Sequence, residues 1–104
     1  MTQRIMNTAI DGRPVEVLMG WDKPLRRYYL VIDFPDSECD VPLYSNLNDP
    51  AATRDGTLSY FVAKAKMLGL TLPTAIVARV EADAAEDLGN AESFFDAVGV
   101  ESGH

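Results

Sequence analysis

Catalysis needs groups that exchange protons near neutral pH, nucleophiles with a base beside them, or donors spaced around a metal. This 104-residue chain is poor in all three, with one cysteine (Cys39) and one histidine (His104, its last residue). Cys39 sits in the run Asp36-Ser37-Glu38-Cys39-Asp40, where neighbouring carboxylates disfavour the thiolate. A lone cysteine also excludes an internal disulfide and a cysteine-based zinc cluster. Asp36, Glu38 and Asp40 are hard oxygen donors, but the run lacks the glycine turn and distal Glu of a calcium loop. Asp83, Glu86 and Asp87 lie close in sequence with no histidine to join them in a metal site. A glycosidase-type carboxylate pair would need a cleft and one carboxyl held neutral by burial. The seven glycines are scattered and form neither phosphate-binding fingerprint. The expectation is therefore a protein with no catalytic residues, no metal and no cofactor.

Binding is the alternative use of such side chains, and charge narrows it. The net charge is −7. Residues 1–79 hold nine acids and nine bases, whereas residues 80–104 hold seven acids (Glu81, Asp83, Glu86, Asp87, Glu92, Asp96, Glu101) and no Lys or Arg. A segment of that sign repels phosphate and attracts basic surfaces. Direct nucleic-acid binding is not expected, since phosphate contacts dominate that affinity. A protein partner with a basic surface is. Glu81, Asp83, Glu86 and Asp87 are its candidate contacts. Trp21, Lys23, Arg26 and Arg27 form a second candidate set around a proline turn, because Trp and Arg are enriched at interface hot spots. Tyr60 and Met67 fall opposite the apolar face of a helix and form a third. Phe94 and Phe95, between Glu92 and Asp96, form a fourth.

The elements that must position these residues follow from periodicity. Residues 4–10 and 13–20 read as strands joined by Asp11-Gly12, a strong hairpin signal. Val15, Val17 and Met19 share one face; Glu16, Leu18 and Gly20 share the other. Residues 27–34 form the strongest strand, with Tyr28, Leu30, Ile32 and Phe34 on one face. Residues 41–47 form a short fourth strand, marked as an edge by Pro42. Leu58, Phe61, Val62, Ala65 and Leu68 give one helix its apolar face, with Asp55 or Thr57 as cap and Gly69 at its end. A second helix runs from about Pro73 to Leu88 through Ile76, Val77, Val80, Ala84 and Leu88, with Thr71 as candidate cap. The predicted fold is α+β: an antiparallel meander of three or four strands, then two helices packed on one face. Residues 1–90 make the single domain, and residues 91–104 an acidic tail with a helical turn near AESFFDAV.

The segments GWDKPLRRYYLVID, PLYSNLNDP, MLGLTLP and DLGN, spread over residues 15–90, resemble a group of small uncharacterised bacterial proteins with GWDRPL-type and YSNL-type segments. The resemblance implies a bacterial cytoplasmic protein and carries no activity, substrate or ligand. The opening residues MTQRIMNTAID hold no apolar h-region. The longest apolar stretch, Tyr28 to Ile32, falls far short of the roughly 18–20 residues a membrane span needs. The functional expectation is a non-enzymatic protein-interaction module. One version is an acidic inhibitor whose carboxylates mimic phosphate, and it requires the acids to lie in one strip. The alternatives are a homodimeric accessory or structural subunit, and a small-molecule-binding domain whose pocket between sheet and helices is lined by Tyr28, Tyr29, Tyr44 and Phe61.

Overall fold

The computed structural model describes residues 1–35, 43–46, 49, 56–96 and 99–103. Among them the elements are β1 (Thr2–Ile10), β2 (Arg13–Asp22), β3 (Arg27–Asp33), β4 (Tyr44–Ser45), α1 (Leu58–Met67), α2 (Thr74–Ala85), β5 (Ala91–Phe95) and β6 (Glu101–Gly103). The strands form a six-stranded sheet in the order β4-β3-β2-β1-β5-β6. The first hairpin turns on Asp11 and Gly12, with φ of 52° and 80°, both positive as a type I′ turn requires. β2 and β3 continue the antiparallel meander, and β4 adds a short edge by pairing Tyr44 with Ile32 and Ser45 with Val31.

The α+β class is as expected from sequence, but the sheet is wider than the predicted meander. The segment expected as a tail enters the sheet instead. β5 lies parallel to β1, and β6 turns back antiparallel to β5. The two helices therefore form the crossover between β4 and a strand beside β1. Residues 91–95 alternate in burial, with Ser93 and Phe95 inward and Glu92 and Phe94 outward. That is a strand's two-residue period. The flanking acids hide it, because they leave Phe95 as the only large apolar side chain on the inward face of β5. The expectations on Asp36–Asp40, Cys39, Pro42, Asp55 and His104 fall outside the described residues.

One face of the sheet is covered. Met6, Val15, Val17, Met19, Leu30, Ile32 and Phe95 meet Phe61 and Ala65 of α1 and Ile76 and Val80 of α2 in a single core. Thr57 caps α1, its Oγ1 accepting from the Tyr60 N–H at 3.1 Å. Thr71 does not cap α2. Pro73 occupies that position, with no side-chain hydrogen bond. Both helices end in the same motif. In α1, Gly69 (φ +93°) donates to the Lys66 carbonyl at 3.1 Å and Leu70 to the Ala65 carbonyl at 2.9 Å. In α2, Asp87 (φ +49°) donates to the Ala84 carbonyl at 3.1 Å and Leu88 to the Asp83 carbonyl at 3.0 Å. This is the Schellman ending, whose left-handed position usually falls to glycine. At Gly20 the backbone of β1 comes close. A Cβ there would lie 2.1 Å from the Thr2 carbonyl oxygen, so no side chain fits.

Candidate functional site

The acids of the last quarter of the chain do not form one strip among the described residues. Asp83 is fully buried on the inner side of α2, beneath which β1 places Arg4, itself 2% exposed. Arg4 grips Asp83 with two hydrogen bonds, from Nε to Oδ2 at 2.9 Å and from Nη2 to Oδ1 at 2.7 Å. Its Nη1 donates to Ser93 Oγ at 2.9 Å. This bidentate pairing is the main reason the Arg4 pKa rises above its ordinary value, against the opposing effect of burial. Glu101 lies near the same guanidinium at 3.8 Å and near Arg79 at 3.4 Å. Asp83 is thus a structural residue, not a surface contact. Glu81 and Glu86 remain exposed on the helix side, whereas Glu92 projects from the opposite side of the sheet.

The Trp21 turn and the end of α2 meet at one corner. Trp21 is 8% exposed, and its indole Nε1 donates to Asp87 Oδ1 at 3.0 Å. Its ring meets Tyr28 edge-on at 5.3 Å between centroids. Arg26, with φ +52° in the turn, approaches Asp87 Oδ2 at 3.5 Å. Two residues in left-handed conformations, each disfavoured by roughly 1–2 kcal/mol, therefore touch across the corner. Arg26 is 72% exposed, so this ion pair contributes little to stability. Lys23, Arg26, Asp87, Gly89 and Asn90 line an adjoining open cleft of about 450 Å³. The structure brings Trp21, Lys23, Arg26 and Asp87 together and corrects the role of Trp21, whose indole is tied inward rather than presented to a partner.

The third and fourth candidate sets divide. Met67 is 78% exposed. Tyr60 is half-buried, and its hydroxyl donates to Asp49 Oδ2 at 2.6 Å beside that of Tyr44 at 2.7 Å. Burial, then the Asp49 hydrogen bond, drive the Tyr44 pKa upward. Phe95 is buried in the core, while Phe94 is 38% exposed on the other face. The four aromatics expected to line one pocket are separated by the sheet. Phe61 fills the core and Tyr28 packs on Trp21, whereas Tyr29 points to the opposite side. There its hydroxyl donates to the Thr2 carbonyl. Burial, then the nearby charge of Asp22, push its pKa up to about 12.

That opposite face is the feature the residue types did not announce. No described element packs on it. The register aligns Val31 with Leu18, Leu18 with Ile5, and Ile5 with Phe94. These four side chains make one apolar row running across four strands, bounded by Ser45 and Ser102. Strand spacing of about 4.8 Å makes the row roughly 15 Å long. At its β3 end a pocket of about 270 Å³ is walled by Leu18, Leu25, Tyr29 and Val31, with Asp22 and Arg27 also lining it. Leu25 is 58% exposed. On the row's other flank Glu16 stands directly beside Asp33, and neither makes an ion pair with a described residue. Like charges so placed destabilise a sheet. Ile5, Leu18, Val31, Glu16 and Asp33 were absent from the sequence candidates. The strand alternation already set them on the face away from the core, and that was the available signal.

Among the described residues, no three His, Cys, Asp or Glu side chains are placed to hold a metal ion, and no helix is long and apolar enough to cross a membrane. No family model, no curated protein and no solved structure matches the chain.

Proposed function

We propose that the chain is a non-catalytic docking module that binds a protein partner on the face of its sheet that no described element covers. The observation that carries this reading is the apolar row Val31-Leu18-Ile5-Phe94, aligned across four strands on a face that no described element covers. An antiparallel sheet with one solvated face normally sets polar side chains outward. Here the centre of that face is apolar, with Ile5, Leu18 and Val31 half-buried and Phe94 exposed, and contiguous apolar surface that stays partly accessible supports an interaction site. The phosphate-mimic version has less support, because Asp83 is buried and Glu92 is separated from Glu81 by the sheet.

The test is cross-linking and capture from lysate with the full chain, its Leu18→Asp and Ile5→Asp variants, and a Glu81→Lys control. A partner captured by the parent and the control but lost by both row variants, each shown folded by circular dichroism, supports the reading. Capture unchanged by the row variants refutes it.

A further inference from the structure

The docking face also carries information about what it binds. The pocket and the acidic pair lie on the same two strands. Leu18 and Val31 wall the pocket, while Glu16 and Asp33 sit two residues further along. Two residues of strand span about 6.8 Å. The pocket's Tyr29 wall is one further side-chain step away in register. The distance from the Leu18, Val31 and Tyr29 walls to the carboxylates is therefore about 7–14 Å.

The pocket volume of about 270 Å³ lies below the range usual for small-molecule sites. It suits one large apolar side chain as an anchor. The two carboxylates suit a cation that neutralises both and relieves their mutual repulsion. One helical turn rises 5.4 Å and two rise 10.8 Å. An anchor and a basic residue one or two turns apart on an amphipathic helix match this spacing. Helices already cover the other face of the same sheet, so its twist accepts them.

We infer that the occupant of the open face is a basic amphipathic helix of another protein, with an apolar side chain in the Leu18–Leu25–Tyr29–Val31 pocket and Lys or Arg one to two turns away against Glu16 and Asp33. This inference rests on the docking reading above and specifies its partner. A second copy of the chain fits less well, since stacking two such faces adds the Glu16, Asp33 and Glu92 charges to their own kind.

The test uses fluorescence anisotropy with a labelled leucine–lysine amphipathic helical peptide and a leucine–glutamate peptide of equal length. The full chain is expected to bind the lysine peptide at least ten-fold more tightly. Leu25→Ser, which alters a pocket wall without touching a strand, and Leu18→Asp should each weaken binding about ten-fold. Glu16→Lys combined with Asp33→Lys should weaken it by a similar factor and flatten its salt dependence. Glu81→Lys combined with Glu86→Lys makes the same change of charge on the helix side and should alter affinity less than two-fold. Equal losses from the two double variants would show attraction to net charge alone and overturn the inference. Binding lost with Leu18→Asp but kept by the Glu16/Asp33 variant would leave the docking face standing and remove the basic partner. Failure of the lysine peptide to bind, or a dimer that Leu18→Asp dissociates, would also overturn the basic helix as occupant. Indifference to every variant on the open face would remove both readings.

Discussion

Removing Asp83 should be the most damaging single loss of a polar side chain among the described residues, and the geometry says how damaging. Arg4 and Asp83 are 2% and 0% exposed and joined by two hydrogen bonds of 2.9 and 2.7 Å. In Asp83→Leu the guanidinium stays buried. It cannot escape by losing its proton, because arginine remains charged in proteins. Ser93 at 2.9 Å and Glu101 at 3.8 Å still face it, so the cost falls near the low end of the range for a broken buried pair, about 3 kcal/mol. A domain of this size holds about 5–15 kcal/mol in total. At a urea dependence of about 1.5 kcal/mol per molar, the midpoint should fall by about 2 M. Arg4→Met leaves the Asp83 carboxylate buried without its main partner and should also be destabilised. The double variant Arg4→Met/Asp83→Leu should recover to within about 1 kcal/mol of the parent. Urea unfolding measures all four proteins. A shift under about 0.5 M for Asp83→Leu, or a double variant no better than the single, would refute the reasoning.

Three further outcomes follow from the same structure. Tyr29, held protonated to about 12 by burial, contributes stability that is present below pH 10 and lost as pH rises through about 12; circular dichroism at alkaline pH should show a shallower decline for Tyr29→Phe than for the parent. Asp87 occupies a left-handed position normally given to glycine, so Asp87→Gly should melt higher than Asp87→Ala by the equivalent of about 1 kcal/mol, and a higher melting point for the alanine variant would contradict that account. Phe95→Ala should cost about 3–5 kcal/mol as a core truncation, whereas Phe94→Ala, 38% exposed, should cost under about 1 kcal/mol; equal losses would mean that β5 is not oriented as described.

How far the sequence reached depends on the range of the interaction that decides each feature. The first hairpin was legible in detail. A two-residue turn at Asp11 and Gly12 makes partners whose numbers sum to 23, which places Ile5 against Leu18 and Arg4 against Met19, as observed. The inward set Val15, Val17 and Met19 followed from alternation. The β2–β3 register was not legible to the same degree, since a longer turn around Pro24 admits several registers. β5 was missed because its strand signal rests on Ser93 and Phe95, and no local turn announces a parallel neighbour. The Arg4–Asp83 pair spans 79 positions. Neither residue type marks itself for burial, and charged side chains are seldom buried unless paired. Asp87 read as one more acid because its conformation, not its charge, makes it distinctive.

The acidic last quarter of the chain shows why a charge count along a sequence differs from a charged surface. Seven acids in 25 residues suggest one negative patch. The path of the chain takes them apart. α2 turns Asp83 inward to Arg4 and leaves Glu81 outward. The left-handed ending spends Asp87 on the Trp21 indole. β5 then joins the sheet beside β1, where its alternation sends Glu92 away from the helices, and β6 returns Glu101 to Arg79. Glu16 stands beside Asp33 with no ion pair to a described residue, and both come from residues 1–79, whose charges balance. A basic partner reading only the local field would therefore meet its complement on β2 and β3, beside the apolar row, and not on the segment that gives the protein its net charge.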